Sequence, residues 1–88
     1  MNVILVDDEK LNLENLQLIV QKLLPGASRV SFSKASLALE YIASHSVDIA
    51  FLDIHMRGTD GMTIARILRE KYPRVNIVFC TGFTEYSL

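Results

Sequence analysis

Asp7, Asp8, Asp53 and Thr81 each stand where a short apolar run of this sequence breaks. Asp7, Asp8 and Glu9 follow Val3-Ile4-Leu5-Val6. Asp53 follows Ile49-Ala50-Phe51-Leu52 and leads into the loop His55-Met56-Arg57-Gly58-Thr59-Asp60-Gly61. Thr81 and Gly82 follow Ile77-Val78-Phe79-Cys80. Carboxylates brought close together repel, so at neutral pH one must hold a proton or a cation must bind among them. Magnesium, a hard ion that prefers octahedral oxygen donors and keeps several waters, suits two or three carboxylates with a main-chain carbonyl. A carboxylate beside such an ion can attack phosphorus and carry the group as an acyl phosphate, while the metal neutralises the transferred charge. A single acid after a strand is as readily a turn former or helix cap. Asp8 could cap the helix that follows it, and Asp60-Gly61 reads as a turn. The chemical reading rests on three acids and a threonine recurring at the ends of three runs.

The elements that must bring these residues together are legible in the hydrophobic pattern. The three runs are strand-length, rich in β-branched or aromatic residues, and continuous rather than alternating, as strands covered on both faces are. Val30 and Phe32, separated by Ser31, alternate and predict an edge strand with one wetter face. Leu13, Leu16, Ile19, Val20 and Leu23 recur at helical spacing and predict an amphipathic helix over Lys10 to Leu24, ended by Pro25-Gly26. Ala38, Leu39, Ile42 and Ala43 predict a second helix with Ser36 as its N-cap. Met62, Ala65, Leu68 and Tyr72 form the stripe of a third, broadened by Ile64 and Ile67 and stopped by Pro73. Strands alternating with helices imply βαβ units and a parallel sheet with right-handed crossovers. In such a sheet, ligands bind outside the carboxyl ends of the strands, which is where the acids and the threonine fall.

Composition narrows the function classes. The 88 residues allow one domain, and half of them are hydrophobic, too many for a disordered tail. The nine basic and ten acidic residues leave a formal charge of −1 with no basic run, so no direct nucleic-acid contact is expected. Cys80 is the sole cysteine and cannot form an internal disulfide. The first apolar run is too short for a signal peptide and no stretch is long enough to span a membrane, so a soluble, cytoplasmic chain is expected.

Val6-Asp7-Asp8-Glu9, then Phe51-Leu52-Asp53-Ile54-His55-Met56 with Asp60-Gly61-Met62, then Ile77-Val78-Phe79-Cys80-Thr81-Gly82 resemble the receiver domains of two-component response regulators. Order and separation match across the whole chain. The resemblance implies a flavodoxin-like doubly wound α/β fold with strand order 2-1-3-4. It also implies a single receiver domain over 1–88 that lacks the family's fifth strand and last helices. Asp53 falls on the phosphoacceptor, which takes a phosphoryl group from a sensor histidine kinase or a small donor such as acetyl phosphate. Asp8 falls on the direct ligand of Mg2+ and Asp7 on a ligand acting through water. Asp53 itself and the main-chain carbonyl of His55 complete the metal set. Thr81 falls on the switch hydroxyl, a local change that biases a two-state surface. Thr81-Gly82-Phe83-Thr84-Glu85-Tyr86 is similar to receivers joined to LytTR-type DNA-binding domains. That implies transcription regulation through an output domain outside this chain.

The sequence also departs from the family pattern. Arg57 stands where proline is usual, and no residue corresponds to the lysine and aromatic of the fifth strand. The strand ending at Cys80 is thus expected to present an apolar edge, and self-association through that edge is expected. Two other functions compete with the phosphorelay reading. One is a receiver-like dimerisation or docking module that is never phosphorylated. The other is a phosphatase with an aspartyl nucleophile, which usually has a second Asp two residues on, where this chain has His55. No enzymatic turnover is expected beyond formation and slow loss of the protein's own acyl phosphate. His45 reads as a solvated helix-end residue and Cys80 as a small buried strand residue. Arg66, Arg69, Glu70, Lys71 and Arg74 read as the wet face and exit of the third helix.

Overall fold

A computed structural model describes residues 1–80; Thr81, Gly82, Phe83 and Tyr86, with the roles expected of them, lie outside the described residues. Seven elements alternate: β1 (Asn2–Val6), α1 (Lys10–Leu23), β2 (Ser28–Phe32), α2 (Ala35–Ser44), β3 (Ile49–Asp53), α3 (Gly61–Lys71) and β4 (Asn76–Cys80). The strands form one parallel sheet in the order β2-β1-β3-β4, the expected doubly wound arrangement.

Side chains alternate across a strand, so β1 feeds two cores. Ile4 and Val6 face α2 and α3, packing with Ala38, Ile42, Leu52, Ile64 and Leu68. Val3 and Leu5 face α1, packing with Leu13 and Val20. Val3 through Val6 are all essentially buried, which explains why the run is continuous. Each large apolar side chain so buried contributes roughly 1.5–3 kcal/mol. The strand predicted at the edge is indeed an edge strand, its residues only part-buried after an exposed Ser28. The β4 run, by contrast, is not sealed on both faces, and Val78 and Phe79 remain 40% and 39% exposed.

Three helix expectations need correction. The stripe of α1 narrows to Leu13, Leu16 and Val20, while Ile19 and Leu23 lie outside the core. Among the described residues no second helix lies beside α1 on its face of the sheet, so only one line of its side chains meets strands. In α3 the buried face is Gly61, Ile64, Ala65 and Leu68, whereas Met62 is exposed. The helix is turned so that its one residue without a side chain meets the end of β3. In α2 the N-cap is Lys34 rather than Ser36, and it makes no side-chain cap bond. The helix starts early enough to bury Ala35, which places Ser36 inside its first turn.

The basic residues of α3 are more than a wet face. The Arg69 guanidinium donates to the carbonyls of Pro73 (3.0 Å) and Val75 (2.6 Å), and Lys71 Nζ donates to the Ala43 carbonyl. Tyr72 Oη donates to the carbonyls of Ile42 and His45 at 3.1 and 2.7 Å. These bonds satisfy helix-end and loop carbonyls and tie α2 to the exit of α3. His45 is the exposed C-cap of α2, its ring stacked on Tyr41 at 4.0 Å.

Candidate functional site

Parallel pairing places the acids. Val6 lies opposite Leu52, so the next residues, Asp7 and Asp53, leave the sheet as neighbours. Both are buried, at 3% and 5% exposure, and Asp8, one residue further along the chain, is half-buried. One potential ligand oxygen from each of Asp7, Asp8 and Asp53 lies within 4.8 Å of the other two. Opposite oxygens around magnesium are separated by about 4.2 Å, twice the Mg–O distance. The three carboxylates therefore fit one hard cation reached partly through water.

Each carboxylate is held by a main-chain N–H. Asp7 Oδ1 accepts from Glu9 at 2.9 Å, Asp53 Oδ1 from His55 at 3.3 Å, and Asp8 Oδ2 from Arg57 at 3.0 Å. The expected capping of α1 by Asp8 is therefore corrected. Glu9 occupies the N-cap position without a side-chain bond, and Asp8 reaches across to the loop after β3 instead. Asp60 does act as a cap, its Oδ1 accepting from the N–H and hydroxyl of Thr63, and this holds its carboxyl below the usual range.

The electrostatics of the cluster favour a bound cation or a bound proton. Desolvation pushes the Asp7 carboxyl up to about 6 against the Glu9 N–H, with the charges of Asp53 and Asp8 adding to the rise. Asp53 is also raised, chiefly by desolvation and then by Asp8 once the opposing His55 N–H is counted. Buried like charges without a counter-cation must protonate or be neutralised, and a divalent ion would neutralise them. Cys80, opposite Asp53 in the sheet, has its thiol raised by burial and then by Asp7 and Asp53. That suppresses the thiolate redox chemistry would require.

Two positioning features escaped the sequence reading. A Cβ built on Gly61 would lie 2.2 Å from the Asp53 carbonyl oxygen, and the Gly61 N–H donates to the Ile54 carbonyl at 3.1 Å. The Asp-Gly pair gave a turn signal for Gly61, but nothing local revealed that its missing side chain admits the Asp53 backbone. Nor did any local signal reveal the Arg57–Asp8 bond, which joins residues 49 apart. The loops after β1, β2 and β3 also frame an open groove of about 1060 Å³, lined by Asp8, Lys34, His55 and Arg57 among others. The groove opens beside Asp8, the least buried of the three acids.

Comparisons with known proteins agree with this geometry. A family model described as the response regulator receiver domain matches residues 3–88. The positive alginate biosynthesis regulatory protein of Pseudomonas aeruginosa is 41% identical over 91 residues, covering 100% of this chain and 36% of that protein. The sensory transduction protein LytT of Enterococcus faecalis is 31% identical over 88 residues, again covering 100% of this chain and 36% of the relative. The chain thus spans about a third of the length of these curated relatives. Among solved structures, the response regulator TrrA in complex with the histidine kinase ThkA is 28% identical with TM-score 0.78, covering 99% of this chain and 73% of that one. TrrA of Thermotoga maritima in complex with Mg(2+)-BeF is similar at 26% identity and TM-score 0.72, with coverage of 97% and 72%.

Proposed function

The chain belongs to the response regulator receiver domain family of two-component systems, and on that premise we propose that Asp53 is its phosphoacceptor. The observation that carries this reading is the buried Asp53 at the end of β3, with Asp7 and Asp8 converging on it. His55 N–H donates to Asp53 Oδ1 and orients the carboxylate, one oxygen of which is the nucleophile. This oxygen attacks the phosphorus of a phosphohistidine; the P–N bond breaks, and the imidazole nitrogen keeps the electron pair and takes up a proton. Asp8 would hold Mg2+ directly and Asp7 through water, with Asp53 and the main-chain carbonyl of His55 completing the donors. The ion would neutralise charge on the transferred oxygens. The chain's own chemistry ends with this acyl phosphate and its slow hydrolysis.

We further propose a sensor histidine kinase as donor, a role supported by the TrrA complex with ThkA. An output domain beyond this chain would receive the signal, and similarity to the transcriptional regulatory protein BtsR of Salmonella typhi, 37% identical over 90 residues, supports an output in transcription control. Thr81 is proposed as the hydroxyl that reads the phosphoryl group. No helix among the described residues is long and apolar enough to cross a membrane, and a cytoplasmic site of action accords with the proposed kinase. The β4 edge, with Val78 and Phe79 partly exposed, is proposed to pair with a second copy. The central test is phosphoryl incorporation from acetyl phosphate in the presence of magnesium. It is expected to be lost on chelation and in Asp53→Asn. Equal incorporation in Asp53→Asn would remove Asp53 from the role.

A further inference from the structure

Of the three acids in the cluster, Asp8 is the least buried. Repulsion from Asp7 and Asp53 favours rotation of its side chain outward into water. The main-chain N–H of Arg57 opposes that rotation by donating to Asp8 Oδ2 at 3.0 Å, across 49 residues of sequence. A hydrogen bond to an ionised acceptor is stronger than a neutral one. One Asp8 oxygen lies within 4.8 Å of ligand oxygens of Asp7 and Asp53. The donor belongs to the backbone of the loop between β3 and α3, which starts at the end of the phosphoacceptor strand and closes on the Asp60 cap of α3. The bond thus couples the position of Asp8 to the loop that carries His55.

We infer that the Arg57 main-chain N–H is a positioning donor that holds Asp8 in place for the cation; this inference rests on the cation site proposed above. The guanidinium has no part in it. Any residue with an N–H at position 57 serves, and proline, which has none, does not. Arg57 has no positive φ, and proline is usual at this place in the pattern the sequence resembles, so Arg57→Pro is expected to fold. Outer-shell partners of metal ligands contribute about 10- to 100-fold in metal affinity. A single neutral donor on an exposed loop belongs at the low end.

The test is calorimetric titration of Mg2+ into the wild-type chain, Arg57→Pro and Arg57→Ala. Amide exchange of the metal-free 15N-labelled protein runs in parallel. Arg57→Pro is expected to bind Mg2+ about tenfold more weakly, while Arg57→Ala stays within about twofold of wild type. The Arg57 amide is expected to be protected from exchange in the wild type and to lose that protection in Asp8→Ala. Equal weakening in both Arg57 variants would assign the effect to the side chain and overturn the inference. Unchanged or tighter binding in Arg57→Pro would overturn it as well, because the donor would then be idle or competing with the ion. If the wild type binds no Mg2+, the cation site fails; a protected amide still reports the Arg57–Asp8 bond and separates the two failures.

Discussion

Asp7 has the least solvent of the three acids and carries the clearest consequence of burial. Its carboxyl titrates near 6 in the fold against an ordinary value of 3.8. A carboxyl raised in the folded state binds its proton more tightly there than in the unfolded chain. Its contribution to stability is therefore fully present below 3.8 and is lost as pH rises through about 6. Asp53, also raised, acts in the same direction. The metal-free protein should thus lose thermal stability between about pH 4 and about pH 6, and Mg2+ at neutral pH should restore it by occupying the charged cluster. Thermal melts with and without the ion check both outcomes, and Asp7→Asn should flatten the pH dependence. A metal-free melting point that rises with pH across that window would contradict the account.

Among the elements, α3 has the tightest steric requirement. It enters beneath Asp53 because Gly61 lets the Asp53 carbonyl approach to where a Cβ would stand, and Ile64 and Leu68 then seat against the sheet. Gly61→Ala must push the helix or the strand end aside. The expected cost is about 1–3 kcal/mol, typical of overpacking a tight site, read from urea unfolding. The same variant should weaken Mg2+ binding, because Asp53 moves with its backbone. A variant as stable as wild type with unaltered Mg2+ affinity would show that the contact is easily relieved.

At the scale of the whole molecule, the two faces of the sheet are unequally covered. Among the described residues two helices seal one face, while α1 alone covers the other and leaves Leu11, Leu18, Ile19 and Leu23 exposed. β4, the last strand of the sheet among the described residues, leaves Val78 and Phe79 partly exposed. An apolar strand edge tends to pair with another chain, and a charge placed on it blocks pairing. Sedimentation of this 88-residue chain is expected to show association that grows across micromolar concentrations. In Val78→Lys that association should be absent. A wild type that remains monomeric throughout would dismiss pairing through this edge.

Much of this architecture is set by local rules and was legible in the sequence. Continuous apolar runs marked β1 and β3, three- and four-residue spacing marked the helices, and the acids marked the ends of strands that share a direction. Parallel order then required Asp7, Asp8 and Asp53 to meet. Tertiary contact decided the rest. The rotation of α3, which buries Gly61 and exposes Met62, follows from the backbone of β3, because helical periodicity alone accepts either residue on the buried face. The exposure of Ile19 and Leu23 depends on what lies beside α1, which its own pattern does not contain. The proton affinity of Asp7 comes from burial by distant segments, and the hold on Asp8 comes from an N–H 49 residues away. Spacing along the chain therefore identified which groups could do the chemistry. Only the packed fold determined how tightly they hold protons and what holds them in place, since desolvation and long-range hydrogen bonds arise when separate segments close on one another.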